Sequence, residues 1–297
     1  MRRSVWLQKN ARALDGKRIA VTGSTGGLGR ELCRYLAMLG ANLLLLDRNV
    51  EKSQSFREEL LRDFEGASVE CVSVDLSDFS SVRETTERLK QMDLDIFIHN
   101  AGAYSIPKKI CATGYDNVFQ INFVSPYFMI RELLPELRVR GGRVVVVGSI
   151  AHNYSKTDPK DIDFSTRTQA SRVYGNAKRY LTYSILALAE QEESVSFCVA
   201  HPGISFTNIT AHYPRVIFAI IKHPMKVIFM KPRRACLSIL FGIYEACSPD
   251  EWIGPRYFDV WGLPKKKKLK TASAEERRWI AETAEHIYQE LKEKKEK

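Results

Sequence analysis

The sequence predicts an α/β fold, a doubly wound parallel sheet with helices on both faces. Three observations point there. Short all-apolar runs alternate with helical patterns through most of the chain, and strands without polar alternation are strands covered on both sides. The first run leads through a glycine-rich turn, Thr22-Gly23-Ser24-Thr25-Gly26-Gly27-Leu28-Gly29, into a helix. The second run ends on an acid, Asp47, twenty residues after Gly27.

The strands expected in order are Arg18–Val21, Leu43–Leu46, Val69–Val74, Ile96–Ile98, Val144–Val147 and Val195–Val199. Between them fall a helix ending near Leu39, a charged helix near Glu51–Phe64, and helices near Ser80–Gln91, Gly114–Leu137 and Ser171–Glu190. The last third is less regular. Ser273 and Glu276 have capping-box spacing, and Ile280, Ala284, Ile287, Tyr288 and Leu291 then fall on one helical stripe. The expected organisation is a single domain over 15–262, with a substrate lid near 204–231, followed by a basic segment and C-terminal helix over 263–297.

Composition narrows the function classes. With 44% hydrophobic residues in 297, the chain can bury a full core. Six cysteines are scattered without CxxC or Cys/His zinc spacing, which reads as reduced thiols in a cytoplasmic setting and gives no metal site. The start of the chain has no apolar run of the secretory kind. The most apolar stretch, Val216–Met230, is interrupted by Lys222, His223 and Lys226, so it falls short of the roughly 18 uninterrupted residues of a span. A net charge of +10 is compatible with peripheral membrane contact. A nucleic-acid partner is not expected, because the cations carry no recognised motif.

Glycines 23, 27 and 29 between strand and helix let a pyrophosphate approach backbone N–H groups at a helix start. Thr22, Ser24, Thr25 and Leu28 complete that loop. Asp47 stands where a carboxylate meets ribose hydroxyls, which favours NAD. Arg48 follows, and an arginine there suits the 2′-phosphate of NADP, the alternative coenzyme. Tyr174 and Lys178 lie four apart on one helix and so share a face. A free tyrosine titrates near pH ~10, and a neighbouring ammonium favours its phenolate and lowers that value. Tyr174 is therefore the expected acid/base.

From Lys17 to Thr207 the sequence resembles the short-chain dehydrogenase/reductase family. The resemblance rests on the TGxxxGxG run, on Asp75-Leu76, on His99-Asn100-Ala101-Gly102, on Tyr174-x-x-x-Lys178 and on Pro202-Gly203 with Thr207. It implies a Rossmann-type sheet and hydride transfer between NAD(P) and an alcohol/carbonyl pair. It further implies adenine contact at Asp75 and Leu76, bracing beside the coenzyme at Asn100, Ala101 and Gly102, and a ribose contact at Lys178. Pro202, Gly203 and Thr207 would lie against the nicotinamide, Ser149 would bind the substrate oxygen, and Asn122 would hold a relay water. His99 stands where the family has asparagine, and Gly148-Ser149 replaces a serine pair. The long interval between Ser149 and Tyr174, with Ala151-His152, Asp161 and Asp163-Phe164, resembles the retinol-dehydrogenase-like branch. That branch, with the apolar stretch Phe206–Met230, implies a lipophilic alcohol, aldehyde or ketone as substrate. A homo-oligomer is compatible with these features, since the same stretch would suit dimer packing. The competing reading is a nucleotide-sensing regulatory or interaction protein on the same fold, against which the complete Asn-Ser-Tyr-Lys set argues.

Overall fold

A strand buried on both sides must send apolar side chains alternately to two cores. The computed structural model, in which residues 3–203, 230–269 and 271–294 are described, is built this way. Its strands are β1 Arg18–Thr22, β2 Asn42–Asp47, β3 Ser68–Ser73, β4 Ile96–His99, β5 Arg143–Val147, β6 Ser196–Ala200, β7 Glu251–Tyr257 and β8 Trp261–Lys268. They form one sheet in the order β3-β2-β1-β4-β5-β6-β7-β8. The strands β1 to β7 run parallel, and β8 returns antiparallel to β7.

The helices are α1 Arg3–Asn10, α2 Gly27–Met38, α3 Val50–Asp63, α4 Phe79–Lys90, α5 Asn117–Phe119, α6 Ser125–Val139, α7 Ala170–Gln191, α8 Pro232–Ala235, α9 Leu237–Tyr244 and α10 Ala274–Glu293. A π turn, Gln120–Val124, joins α5 to α6, and a 3₁₀ turn, Ile150–Asn153, follows β5. Ala20, Leu44, Leu46, Phe97, Val144 and Val146 face the core under α4, α6, α7 and α10. Ile19, Val21, Leu43, Leu45, Ile98 and Val145 face the core under α2, α3 and α9. Local caps start the helices: Asn49 accepts from the Lys52 amide before α3, and Asp78 accepts from the Ser80 amide before α4.

The six expected strands are present within a residue or two at each end. The chain leaves β1 toward β2 and β3 and then crosses to β4 on the other side of β1. That reversal opens a crevice at the carboxyl ends of β1 and β4.

The C-terminal third departs from expectation. The division at residue 262 cuts through β8, and one sheet runs across it. Within the expected basic segment, Lys265–Lys268 forms a sheet edge. Lys266, Lys267 and Lys268 pair there with Glu245, Asp259 and Asp250, and a charged edge resists further strand pairing. The apolar stripe of α10 is buried as predicted. The capping box is half made: Ser273 accepts from the Glu276 amide, while the Glu276 carboxylate turns away to Arg179. The expected lid falls almost wholly outside the described residues. No helix among the described residues is long and apolar enough to cross a membrane.

Because α10 completes a core, Ile287→Ala is expected to cost about 2–5 kcal/mol, measured by denaturant unfolding. A loss below a few tenths would mean that the helix merely rests on the surface.

Candidate active site

The glycine turn closes over β1 and leads into α2. Gly29 is packed so tightly that an added Cβ would lie 2.2 Å from the Gly23 carbonyl oxygen. Any larger residue must therefore push the helix start off the loop. Gly27 opens α2, whose first turn holds no acid and whose cap residue, Gly26, offers no side-chain bond. The helix start is thus left to an anion. Leu28 is half-buried against the core beneath.

Asp47 is only 4% exposed. One oxygen accepts from the Thr25 amide at 3.0 Å and the Thr25 hydroxyl at 2.9 Å. The other accepts from the Ser24 hydroxyl and, at 3.2 Å, from Ser53. A carboxylate has about four acceptor positions, so these four bonds saturate it. Arg48, next along, has a side chain 75% exposed and lies 4.0 Å from Asp75. Asp75 accepts from the amide and hydroxyl of Ser77. The Leu76 carbonyl accepts from Gln120 and Ser125, which ties this strand end to the π turn.

At the end of β4 the Thr22 hydroxyl accepts from the Asn100 and Ala101 amides. It therefore gives its own proton to His99 Nδ1, 3.1 Å away. His99 is fully buried, and that burial holds its pKa well below the usual range. Asn100 Nδ2 donates to the Thr22 and Gly23 carbonyls. Asn122 sits in the π turn, a distortion often found at functional sites. Its Nδ2 donates to the Ala103 and Val118 carbonyls, and its Oδ1 is buried without a partner. A Cβ on Gly102 would lie 2.8 Å from that Oδ1 and 3.7 Å from Lys178 Nζ.

Tyr174 and Lys178 project from one face of α7. Lys178 Nζ lies 5.7 Å from the centre of the Tyr174 ring and donates to the Val147 carbonyl at 2.9 Å. Burial pushes Lys178 down to about 7. It pushes Tyr174 up to about 12, opposed by a hydrogen bond from the Ser149 hydroxyl. In the protein alone the phenol is thus raised, with desolvation by burial as the largest cause. Ser149 also caps the 3₁₀ turn by accepting from the Ala151 amide. Val118, Ala151, Phe164 and Val173 pack around Tyr174, and Tyr104 meets its ring edge-on at 5.4 Å.

The chain from residue 17 to 158 matches the family model described as short chain dehydrogenase. An uncharacterized oxidoreductase of Schizosaccharomyces pombe is 30% identical over 274 residues, covering 85% of this chain and 79% of its own. The chain belongs to the short-chain dehydrogenase/reductase family. Retinol dehydrogenase 12 of Homo sapiens is 28% identical over 277 residues, covering 90% of this chain and 85% of its own. This places the chain beside the retinol-dehydrogenase-like branch. A 3-oxoacyl (acyl-carrier-protein) reductase from Agrobacterium tumefaciens C58, solved with NADP bound, shares the fold. Its TM-score is 0.64 at 21% identity, covering 83% of this chain and 94% of that one. As a member of this family the protein is an NAD(P)-dependent oxidoreductase.

The residues present fit such a coenzyme. The uncapped start of α2 suits a pyrophosphate. The space beside Gly102, bounded by the unpartnered Asn122 Oδ1 and by Lys178, suits a polar ligand edge. Pro202 and Gly203 are buried at the end of β6, and Thr207 lies outside the described residues. Sequence reasoning missed Gly175. A Cβ there would lie 2.5 Å from the Ala151 carbonyl oxygen, so this glycine lets the Ser149 turn press on α7. A glycine inside a strong helical pattern was the available signal. His201 stacks on Trp252 at 5.1 Å while His152 meets the same ring edge-on at 5.0 Å.

Burial holds both His152 and His201 down at about 4. In the unfolded chain a histidine titrates near pH ~6.5, so between these values the unfolded state binds more protons. Stability is therefore expected to fall as pH drops from about 6.5 to about 4, read by thermal unfolding across that range. His152→Gln with His201→Gln should flatten this slope, and an unchanged slope would contradict the assignment.

Proposed function

We propose that the enzyme interconverts a lipophilic alcohol and its aldehyde or ketone, with Tyr174 as acid/base. The observation that carries this reading is the convergence of Tyr174, Ser149, Lys178 and Asn122 inside an apolar wall of Val118, Ala151, Phe164 and Val173. The bound coenzyme supplies or accepts the hydride. Tyr174 hands its proton to the substrate oxygen in reduction and takes it back in oxidation. Ser149 donates a hydrogen bond to the same oxygen as charge develops there. Lys178 holds the ribose, and its ammonium favours the phenolate. Asn122 Oδ1 holds a relay water behind Lys178. The apolar wall favours a substrate without charge near its reacting carbon, in keeping with relatives named as retinol dehydrogenases. The scattered thiols fit a reducing, cytoplasmic location, and contact with a membrane surface would suit delivery of an apolar substrate.

The packing of Asp47 supports the alternative coenzyme, NADP, over the NAD that the sequence favoured. Asp47 braces the glycine loop and has no acceptor position left for a ribose hydroxyl. Arg48 stands exposed beside it, so NADP is the favoured coenzyme and Arg48 the residue that receives its 2′-phosphate. Gly23, Ser24, Thr25, Gly27 and Gly29 shape the pyrophosphate site, with Asp75, Leu76, Asn100, Ala101 and Gly102 along the adenosine and ribose. Pro202 and Gly203 serve the nicotinamide end, and the family motif assigns Thr207, which lies outside the described residues, to the same role.

Tyr174→Phe is expected to lower kcat by at least about 10²-fold while leaving coenzyme affinity unchanged by calorimetry. A variant that keeps a large share of wild-type turnover would remove Tyr174 from the reaction. Arg48→Ala is expected to raise KM for NADPH by about tenfold, the loss of one charge-assisted contact, with little effect on NADH. A wild type that strongly prefers NADH would return the deciding role to Asp47.

A further inference from the structure

Arg179 follows Lys178 on α7 and is only 2% exposed. Its Nη1 donates to the His152 carbonyl at 2.8 Å and its Nη2 to the Thr271 carbonyl at 2.7 Å. Its Nε and Nη2 also make a two-pronged pair with Glu276 on α10, at 2.7 and 2.5 Å. Glu276 Oε1 in turn accepts from the Thr157 amide at 3.1 Å and from its hydroxyl at 3.2 Å. The pair therefore grips the segment after β5 twice, at His152 and at Thr157. At the near end of that segment, the His152 amide donates to the Ser149 carbonyl at 3.1 Å and the His152 ring lies 2.6 Å from the same oxygen.

Two arguments separate this cluster from ordinary packing. A buried ion pair roughly offsets its own desolvation, so stability alone gives little reason for it over an apolar pair of equal volume. What a forked guanidinium offers is direction, since its donors lie in one fixed plane. Here that plane runs from α10, through α7, to the turn that carries Ser149. Gly175 on the same helix lets this turn sit directly on α7. A shift of the turn would move the Ser149 hydroxyl off the phenol.

We infer that the Arg179–Glu276 pair is a positioning device that holds the Ser149 hydroxyl against Tyr174 and makes the C-terminal helix part of the catalytic apparatus. The inference rests on the reading of Tyr174 and Ser149 as the reacting pair. Neither Arg179 nor Glu276 touches the reacting atoms. Tyr174 is faced by Lys178 from its own helix, by Ser149 and Tyr154 from the gripped segment, and by Tyr104 from the loop after β4. Ser149 is the partner in this set that favours the phenolate by a hydrogen bond, so loosening it raises the pH at which Tyr174 ionises. Glu276 is faced by Arg179 and Thr157, and His152 by Arg179 and Asp259.

The test uses the full chain with NADPH and decanal, retinal and a steroid ketone as probe substrates, and with NADP and the matching alcohols. Arg179→Met combined with Glu276→Leu removes the charges and keeps the volume. The expected result is a melting temperature and NADPH affinity close to wild type, with kcat lower by about 10- to 100-fold. The alkaline limb of alcohol oxidation should move to higher pH. Glu276→Gln, which keeps an acceptor for Thr157 and Arg179, should recover most of kcat. Should the double variant fail to fold, Arg179→Lys carries the test, because it keeps the charge and loses the fork; the same loss and the same shift are expected. Unchanged kcat and an unmoved limb overturn the inference, as does a loss that follows melting temperature alone. Tyr174→Phe run alongside isolates the underlying reading. If that variant stays active, the acid/base assignment fails; if it is dead while the pair variants behave as wild type, only the positioning role fails.

Discussion

The carboxyl edge of a parallel sheet leaves backbone carbonyls and amides where the neighbouring strand has already ended. Buried groups of this kind must find partners, and the whole catalytic end of this molecule follows from how they do. The Thr22 hydroxyl takes two amides beyond β4, and the Asn100 amide group donates to two carbonyls beyond β1. Gln120 and Ser125 take the Leu76 carbonyl beyond β3, and Lys178 takes the Val147 carbonyl at the end of β5. These side chains are held by the sheet before any ligand arrives. Their positions are consequences of the fold, so the site is preorganised and needs no closure to assemble its described part.

Burial then sets the chemistry. Tyr174 and Lys178 are removed from water together, and desolvation drives each toward its neutral form: the phenol up to about 12, the amine down to about 7. On the proposed reading the phenol is an acid held ready, with Ser149 as the group that favours its ionised form. A protein that relied on Lys178 alone would have the wrong balance, because a deeply buried amine loses charge as readily as it stabilises a neighbouring anion. On the proposed reading, the placement of the Ser149 hydroxyl carries more of the burden than the Tyr-x-x-x-Lys spacing suggests. The close approach at Gly175 and the guanidinium of Arg179 both bear on the turn that carries it.

Sequence legibility followed the range of the interactions. Of the six strands read from sequence, all but β3 are apolar runs whose neighbours in sequence determine their burial, while β3, at the sheet edge, carries exposed positions around its buried valines. The glycine turn, Tyr174 and Lys178 were readable because their geometry is local, one turn or one helical repeat. The strand β8 was not, because a run of lysines becomes a strand only when Glu245, Asp250 and Asp259 come to meet it. The packing of Asp47 was hidden for the same reason. Its place at a strand end is local, but the four donors that saturate it come from the loop and from α3. Glu276 was read as half of a capping box, and its true partner stands 97 residues away on α7. The π turn at Asn122 leaves no mark in periodicity at all.

The account stands or falls on whether this preorganised edge moves a hydride to an apolar carbonyl. The direct measurement is label transfer. NADPH carrying deuterium on the transferring carbon of the nicotinamide is incubated with the enzyme and decanal, retinal or a steroid ketone, and the product alcohol is weighed by mass spectrometry. The account predicts an alcohol heavier by one deuterium at the former carbonyl carbon, and none from Tyr174→Phe. A protein that binds NADPH at the glycine loop yet transfers no deuterium to any apolar carbonyl would contradict it.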